Sequence, residues 1–199
     1  MSNDFVKQGY NKVADSYASG RNQSENRKYL DKFNLLLQPN SYILDIGCGA
    51  GKPVDEFLIS KGHKVVGIDI SERMIELAKK NVPEGQFKVE DMTELKNGEY
   101  QVDAAVSFYA IFHTPRETHQ ELLQKINSFL RSGGLIMITM SRSNWEGREP
   151  SFFGTEMFWS HYDASMNREL VEHAGFKVLV DEIDGVGNEQ HQMLIARKK

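Results

Sequence analysis

Three aspartates at regular intervals, with a glycine loop after the first, are the residues of this chain most suited to ligand binding. Asp45 opens the sequence Asp-Ile-Gly-Cys-Gly-Ala-Gly, and Asp69 and Asp91 follow it at spacings of 24 and 22 residues. Each aspartate lies where a predicted strand ends, and in open α/β sheets ligands bind beyond the carboxyl ends of the strands. We therefore expect the three carboxylates to line one rim of a sheet.

The glycine loop favours a ligand with a positive centre and no phosphate. Glycines allow the backbone to turn sharply and a ligand to approach it closely. A dinucleotide site would have the pattern G-x-G-x-x-G, but Lys52 stands where the third glycine should be, and Asp45 adds a negative charge. A P-loop would need Gly-Lys-Ser/Thr, which is missing. A nucleotide-dependent oxidoreductase is disfavoured for the same reasons.

The elements that must position these residues alternate between strand and helix. Helical periodicity in the N-terminal 38 residues predicts two helices before the first strand. Strands are predicted at 42–46, 64–69, 86–90, 102–108, 135–140, 176–183 and 191–196. Helices are predicted near 54–58, from the cap Ser71, from the capping box Thr114-Pro115-Arg116-Glu117, and at 164–174. Such alternation predicts an α/β fold with a doubly wound, mostly parallel sheet. No helix is predicted between the last two strands, and Gly185 and Gly187 lie between them, so these strands should form an antiparallel hairpin.

Composition narrows the protein class. The chain has 199 residues, a formal net charge of -4 and 40% hydrophobic residues, as expected for one domain over 1–199. The acidic balance argues against nucleic acid as a partner. The single cysteine, Cys48, excludes an internal disulfide and a cysteine-cluster metal site. With no apolar run of membrane length and no signal-peptide pattern, we expect a cytoplasmic protein without a membrane or metal partner.

The stretch Ile43–Gly51, together with Asp69 and Asp91, resembles the class I S-adenosylmethionine-dependent methyltransferases. It is most similar to their small-molecule branch, near the ubiquinone/menaquinone methyltransferase-like proteins. The resemblance covers nearly the whole chain. It implies a seven-stranded Rossmann-like methyltransferase fold, S-adenosylmethionine as the cofactor and S-adenosylhomocysteine as the product.

The resemblance also implies the residues that hold the cofactor. Asp69 would bond both ribose hydroxyls, Asp91 the adenine amino group, and the backbone of Met92 a ring nitrogen. Tyr17 and Arg21, on N-terminal lid helices at 1–38, would reach the cofactor carboxylate. The full set is Tyr17, Arg21, Asp45, Gly47, Cys48, Gly49, Gly51, Asp69, Ile70, Met74, Asp91, Met92, Ser107 and Phe108.

Two segments are candidates for the acceptor side. After the fourth strand, His113 could take a proton from an acceptor, or it could simply stabilise the loop. The segment 141–162 is predicted to be an aromatic loop that forms a pocket wall, or else a hydrophobic cluster packed under a long loop. The candidate acceptor-binding residues are Tyr109, His113, Trp145, His161 and Tyr162.

Several methyltransferase chemistries are excluded by missing motifs. The fourth strand lacks the Asn/Asp-Pro-Pro-Tyr sequence used on exocyclic amino groups, and no Pro-Cys nucleophile exists for cytosine. The sequence therefore predicts methyl transfer to a small-molecule acceptor. The acceptor atom and the oligomeric state stay open. The alternative is a regulatory protein that binds S-adenosylmethionine or S-adenosylhomocysteine without catalysis.

Overall fold

A computed structural model describes residues 3–20, 27–185 and 190–199 of the chain. Arg21 and Gly187, singled out above, lie outside these ranges. The helices are α1 (Asn3–Gly20), α2 (Arg27–Leu36), α3 (Val54–Ser60), α4 (Glu72–Asn81), α5 (His119–Phe129) and α6 (Ala164–His173). The strands are β1 (Tyr42–Ile46), β2 (Lys64–Asp69), β3 (Gln86–Val89), β4 (Val102–Ser107), β5 (Leu130–Ser141), β6 (Trp145–Phe152), β7 (Thr155–His161), β8 (Phe176–Asp184) and β9 (His191–Lys198).

Seven of these strands form one sheet in the order β3-β2-β1-β4-β5-β9-β8. The strands β3, β2, β1, β4 and β5 are parallel, and β9 lies antiparallel between β5 and β8. This confirms the doubly wound, mostly parallel fold and its C-terminal hairpin. The order reverses between β1 and β4, so the crevice at their carboxyl ends is where such sheets bind ligands.

Both faces of the sheet are buried, as the apolar runs of its strands require. Along β1, Ile43 packs with α2 and α3 on one face, and Leu44 packs with α5 and α6 on the other. Both side chains are 0% exposed. The sheet therefore forms a rigid base for the loops at its carboxyl edge.

The predicted start of the helix after β4 is wrong. Thr114 and Pro115 do not cap this helix: residues 111–113 and 116–118 form single 3₁₀ turns, and α5 begins only at His119. The Thr114 hydroxyl instead donates to the Ile111 carbonyl at 2.7 Å. The backbone N–H of Arg116 donates to the Ser160 hydroxyl at 2.8 Å, which ties this segment to β7. A tertiary hydrogen bond has thus replaced the local capping box.

The segment 141–162 is not a loop either. Its central part forms the two-stranded antiparallel hairpin β6–β7, separate from the main sheet. Pairing within the hairpin satisfies the backbone polar groups that an unpaired segment of this length would leave without partners. Met157 and Phe158 of β7 are buried against Val6 of α1. The hairpin and α1 therefore meet above the carboxyl edge of the sheet.

A buried amide joins α6 to two strands of the main sheet. Asn167 of α6 is 0% exposed, and its Nδ2 donates to the Ser141 carbonyl of β5 at 2.7 Å and to Gln192 Oε1 of β9 at 3.2 Å. We expect Asn167→Ala to lower the free energy of unfolding by about 1–3 kcal/mol, because buried acceptors lose their donor. Urea unfolding measures this, with the exposed Asn144→Ala as control. Equal losses in the two variants would contradict the prediction.

Candidate active site

The carboxylate of Asp69 joins the glycine loop to the start of α4. Its Oδ2 accepts from the backbone N–H of Gly49 at 2.9 Å, and its Oδ1 accepts from the backbone N–H of Ser71 at 2.9 Å. The Ser71 hydroxyl in turn accepts from the Met74 N–H at 3.1 Å, so the predicted N-cap of α4 is present. One acid at the end of β2 thus fixes the shape of the loop beside it.

The charged form of Asp69 is only partly stabilised by the protein. Burial raises the pKa of this carboxyl to about 6, although the hydrogen bonds from Ser71 and Gly49 oppose the shift. A carboxylate gains stability when ligand hydroxyls donate further charge-assisted hydrogen bonds to it. The site is therefore suited to a ligand that presents hydroxyl donors.

The three loop glycines have different tasks. All three have positive φ, at +80° for Gly47, +54° for Gly49 and +78° for Gly51. A Cβ on Gly47 would overlap the Cβ of Ala110, whereas a Cβ on Gly49 would meet nothing within 4 Å. Gly47 is therefore required for packing, and Gly49 opens onto space that a ligand can approach. The open space at Gly49 and the capacity of the Asp69 carboxylate to accept further hydrogen bonds fit the cofactor implied by the sequence resemblance.

Asp45 lies beneath the loop and has a second acid beside it. Asp45 and Asp55, in the first turn of α3, are 1% and 0% exposed. Burial and the neighbouring Asp45 raise the pKa of Asp55 well above its ordinary range. Burial also raises the pKa of the Cys48 thiol, so this cysteine is a packing residue rather than a nucleophile. No sequence signal had pointed to Asp55.

A narrow cavity runs along the rim beneath α1. One part, of about 60 Å³, contacts Asp69 and His113. An adjoining part, of about 30 Å³, contacts Asp91 as well. Of the predicted site residues, the cavity brings together Tyr17, Gly47, Gly49, Asp69, Ile70, Met74, Asp91, Met92, Phe108, Tyr109 and His113.

Helix α1 lies over this cavity and forms hydrogen bonds with residues at its rim. Asn3 Nδ2 donates to Asp91 Oδ2 at 2.7 Å, and Asn11 Oδ1 accepts from the Ser71 hydroxyl at 2.6 Å.

A larger cavity of about 280 Å³ shares Tyr17 and Gly49 with this one and is lined by Cys48, Ala50, Lys52 and Asn81 as well. Its volume is close to the roughly 300–1,000 Å³ of pockets that enclose ligands, so a larger space lies beside the glycine loop.

His113 is buried at the inner end of the cavity in a defined tautomer. Its Nδ1 lies 2.9 Å from the Phe158 carbonyl, which can only accept, so Nδ1 carries the proton. Its Nε2 then accepts from the Tyr10 hydroxyl at 2.7 Å. Burial lowers the pKa of His113 to about 4, so the imidazole is neutral near pH 7.

Several residues predicted from the sequence lie away from the cavity described above. Trp145 is 44% exposed, with its ring 6.1 Å from that of His161. The Tyr162 ring packs 5.2 Å from the Arg116 guanidinium. The Ser107 hydroxyl donates to the Ile46 carbonyl at 3.0 Å. The structure thus places these four predicted site residues outside the lining of the described cavity.

Sequence reasoning missed two residues of α1 that reach the cavity, Asn3 and Tyr10. Periodicity predicts the first helix, but nothing in the sequence shows which side chain Tyr10 meets. Trp159, within the predicted aromatic segment, packs its ring 4.3 Å from that of His113. Among the described ranges, no cluster of His, Cys, Asp or Glu is arranged to hold a metal ion.

Comparison with known proteins points to one activity. Residues 43–134 match the family model of a methyltransferase domain. An uncharacterized methyltransferase of Synechocystis sp. is 28% identical over 153 residues, which are 73% of this chain and 71% of that protein. An uncharacterized methyltransferase of Oceanobacillus iheyensis is 25% identical over 142 residues, and the match spans 71% of this chain but only 59% of that protein.

A solved structure shares the fold. The 1,6-didemethyltoxoflavin-N1-methyltransferase of Burkholderia thailandensis, with S-adenosylhomocysteine bound, is similar with a TM-score of 0.79 at 18% identity. The match covers 98% of this chain and 88% of that one. The family match and the relatives support methyltransferase activity for this chain, and the solved structure shares its fold.

The burial of His113 predicts acid sensitivity. The unfolded chain binds a proton at the ordinary histidine pKa of 6.5, whereas the folded chain does so only near 4. Folding stability therefore falls as the pH drops from about 6.5 to 4, by about 3 kcal/mol for this one group. Glutamine can also donate and accept a hydrogen bond but does not titrate. In His113→Gln we therefore expect the loss of stability that comes from protonation of His113 to disappear.

Urea unfolding of both proteins between pH 4 and 7 measures the difference. His119 is a matched comparison, because burial also lowers its pKa to about 4 but the residue lies in α5, outside the cavity. His119→Gln should remove a similar part of the loss of stability at low pH, and the double variant should remove the parts due to both histidines. A His113→Gln slope equal to that of the wild type would contradict the prediction.

Proposed function

We propose that this methyltransferase transfers the methyl group of S-adenosylmethionine to a small-molecule acceptor held between α1, the turn 111–113 and the hairpin β6–β7. This proposal is supported by two adjoining cavities, which share Asp69 and His113 in their lining and of which one also contacts Asp91. The acids that we assign to the cofactor and the histidine that we assign to the acceptor therefore lie side by side.

The cofactor half follows the chemistry of the rim. We assign the two ribose hydroxyls to Asp69, the adenine amino group to Asp91, and the close backbone approach to Gly49. Ile70, Met74 and Met92 supply apolar walls for the adenine ring. When bound, S-adenosylmethionine supplies a methyl group on a cationic sulfur, and an acidic rim without a phosphate-binding pattern suits that charge. Asp45 supports the loop from below.

The acceptor half is assigned to Tyr109 and His113. His113 is neutral near pH 7, with Nε2 as a proton acceptor, because its Nδ1 proton is held by the Phe158 carbonyl. A general base is needed only when the acceptor must lose a proton, and His113 is positioned for that case. Trp145, His161 and Tyr162 lie outside the cavity, so we leave them out of the proposed acceptor site.

The proposed layout is a single domain over 1–199, with the helices of 1–38 as a lid and the segment 141–162 as one wall. A small acceptor is supported by the narrowness of the cavity and by the similar B. thailandensis enzyme, whose name gives a small heterocycle as its substrate. Within the described ranges, no helix is both long and apolar enough to cross a membrane. The placement near the ubiquinone/menaquinone methyltransferase-like proteins, the cytoplasmic location and the absence of a nucleic-acid partner are part of the same proposal.

Asp69→Ala tests the cofactor assignment. We expect the Kd for S-adenosylmethionine to rise about 10- to 100-fold, since the ribose hydroxyls lose charge-assisted hydrogen bonds. For the wild type, affinity should also fall below about pH 6, where the Asp69 carboxyl takes up a proton. Titration calorimetry measures both, with Asp31→Asn on the exposed face of α2 as control. Wild-type affinity in Asp69→Ala would refute the assignment, and no binding by the wild type would refute the function.

A further inference from the structure

The hydroxyl of Tyr10 stands between the cavity and the proton-accepting nitrogen of His113. Both residues line the same part of the cavity, and the Tyr10 oxygen lies 2.7 Å from His113 Nε2. Tyr10 belongs to the lid helix α1, whereas His113 follows the fourth strand of the sheet. This hydrogen bond therefore joins α1 to the turn that follows the fourth strand.

The direction of this hydrogen bond is fixed by the groups behind it. The Phe158 carbonyl holds the Nδ1 proton of His113, so Nε2 offers a lone pair and the Tyr10 hydroxyl must donate. A phenolic oxygen that donates one hydrogen bond can accept another. An acceptor molecule in the cavity therefore meets the Tyr10 oxygen before it meets Nε2.

Aromatic packing holds Tyr10 in this position. Its ring makes edge-to-face contacts with His113 at 5.1 Å, Tyr17 at 5.6 Å and Phe152 at 5.9 Å between centroids. Trp159 covers the His113 ring at 4.3 Å. Three aromatic side chains thus pack around the Tyr10–His113 pair, and a purely packing role for Tyr10 would not require its hydroxyl.

We propose that Tyr10 contacts the departing proton of the acceptor and relays it to His113, and that the acceptor is an uncharged molecule with a hydroxyl or ring N–H group. This inference rests on the proposed methyl transfer. The acceptor heteroatom forms a bond to the methyl carbon while its bond to hydrogen breaks. That proton goes to the Tyr10 oxygen, the original Tyr10 proton goes to His113 Nε2, and the electron pair of the sulfur–carbon bond returns to sulfur.

The lining and the charge of the proposed cofactor explain why the acceptor carries no charge. The described residues that line the two parts of the cavity include no lysine or arginine, and their acids are Asp69, Asp91 and Glu90. An anionic acceptor would therefore lose its hydration without gaining an opposite charge from these residues. A cationic acceptor would be repelled by the positive sulfur of the cofactor. While His113 is buried its pKa is near 4, so the imidazolium formed there is unstable and gives its proton to water when α1 moves away.

The test compares Tyr10→Phe with the wild type on acceptors that do and do not lose a proton. The probes are 2-naphthol and carbazole, whose methylated oxygen or nitrogen loses a proton, and quinoline, whose ring nitrogen is methylated without losing any. S-adenosylhomocysteine formation is measured with S-adenosylmethionine saturating. Tyr42→Phe is the matched control, since Tyr42 lies at the amino end of β1, the edge of the sheet opposite the site.

We expect Tyr10→Phe to lower kcat for the two protic probes by about 100-fold or more, as the loss of a general base does. Turnover of quinoline should stay within about twofold of wild type, because no proton has to leave. Tyr42→Phe should match the wild type on all probes. Equal losses on quinoline and 2-naphthol would assign Tyr10 to packing alone and overturn the relay, and wild-type turnover of 2-naphthol in Tyr10→Phe would overturn it as well.

A second measurement does not depend on turnover. In nitrogen-15 spectra of the histidine rings, the wild type should show His113 protonated on Nδ1, with Nε2 hydrogen-bonded. Tyr10→Phe should move the Nε2 signal to that of a nitrogen without a donor, and Tyr42→Phe should leave it in place. An unmoved signal would overturn the proposed contact. If S-adenosylmethionine binds but no protic probe is turned over, the acceptor class is wrong, and if it does not bind, the proposed function fails instead.

Discussion

The carboxylate of Asp69 is the point on which the site depends. It accepts the backbone N–H of Gly49 from the glycine loop and that of Ser71 from the start of α4. Ser71 also caps α4 and donates to Asn11 of α1. One acid at the end of β2 is therefore linked to the glycine loop, to the start of α4 and, through Ser71, to α1. Burial still raises the pKa of Asp69 to about 6, so the two backbone N–H groups only partly stabilise its charged form. Hydroxyl groups of a ligand could donate further hydrogen bonds to this carboxylate.

The acceptor half depends on a second constraint, the packing of α1 against the hairpin β6–β7. Val6 meets Met157 and Phe158, and this contact buries the segment that carries the His113 partner carbonyl. Burial of His113 lowers its pKa and fixes its tautomer. The chemistry of the site is thus produced by two segments outside the main sheet, one before its first strand and one after its fifth.

Where the sequence predicted correctly, the determining interaction was local or repeated. The buried runs of β1, β2 and β4, the cap at Ser71 and the acids at strand ends all follow from neighbouring residues and from the geometry of parallel sheets. The capping box at Thr114 failed because the Arg116 N–H bonds the distant Ser160 hydroxyl instead. The hairpin in segment 141–162 was not predicted, because its two strands pair only with each other. The first of them is mostly exposed, so it lacks the alternation of apolar and polar residues that would indicate a strand.

The sequence by itself therefore determined the sheet, its helices and the acidic rim with its glycine loop, since hydrophobic periodicity and loop chemistry are written into adjacent residues. Only the tertiary structure decided which aromatic residues meet His113. The sequence offered Trp145, His161 and Tyr162 as candidates, but the packing of α1 on β7 instead brings Tyr10 and Trp159 against His113. That choice depends on contacts between segments more than 100 residues apart, such as Tyr10 with His113 at a separation of 103, and no local pattern encodes it.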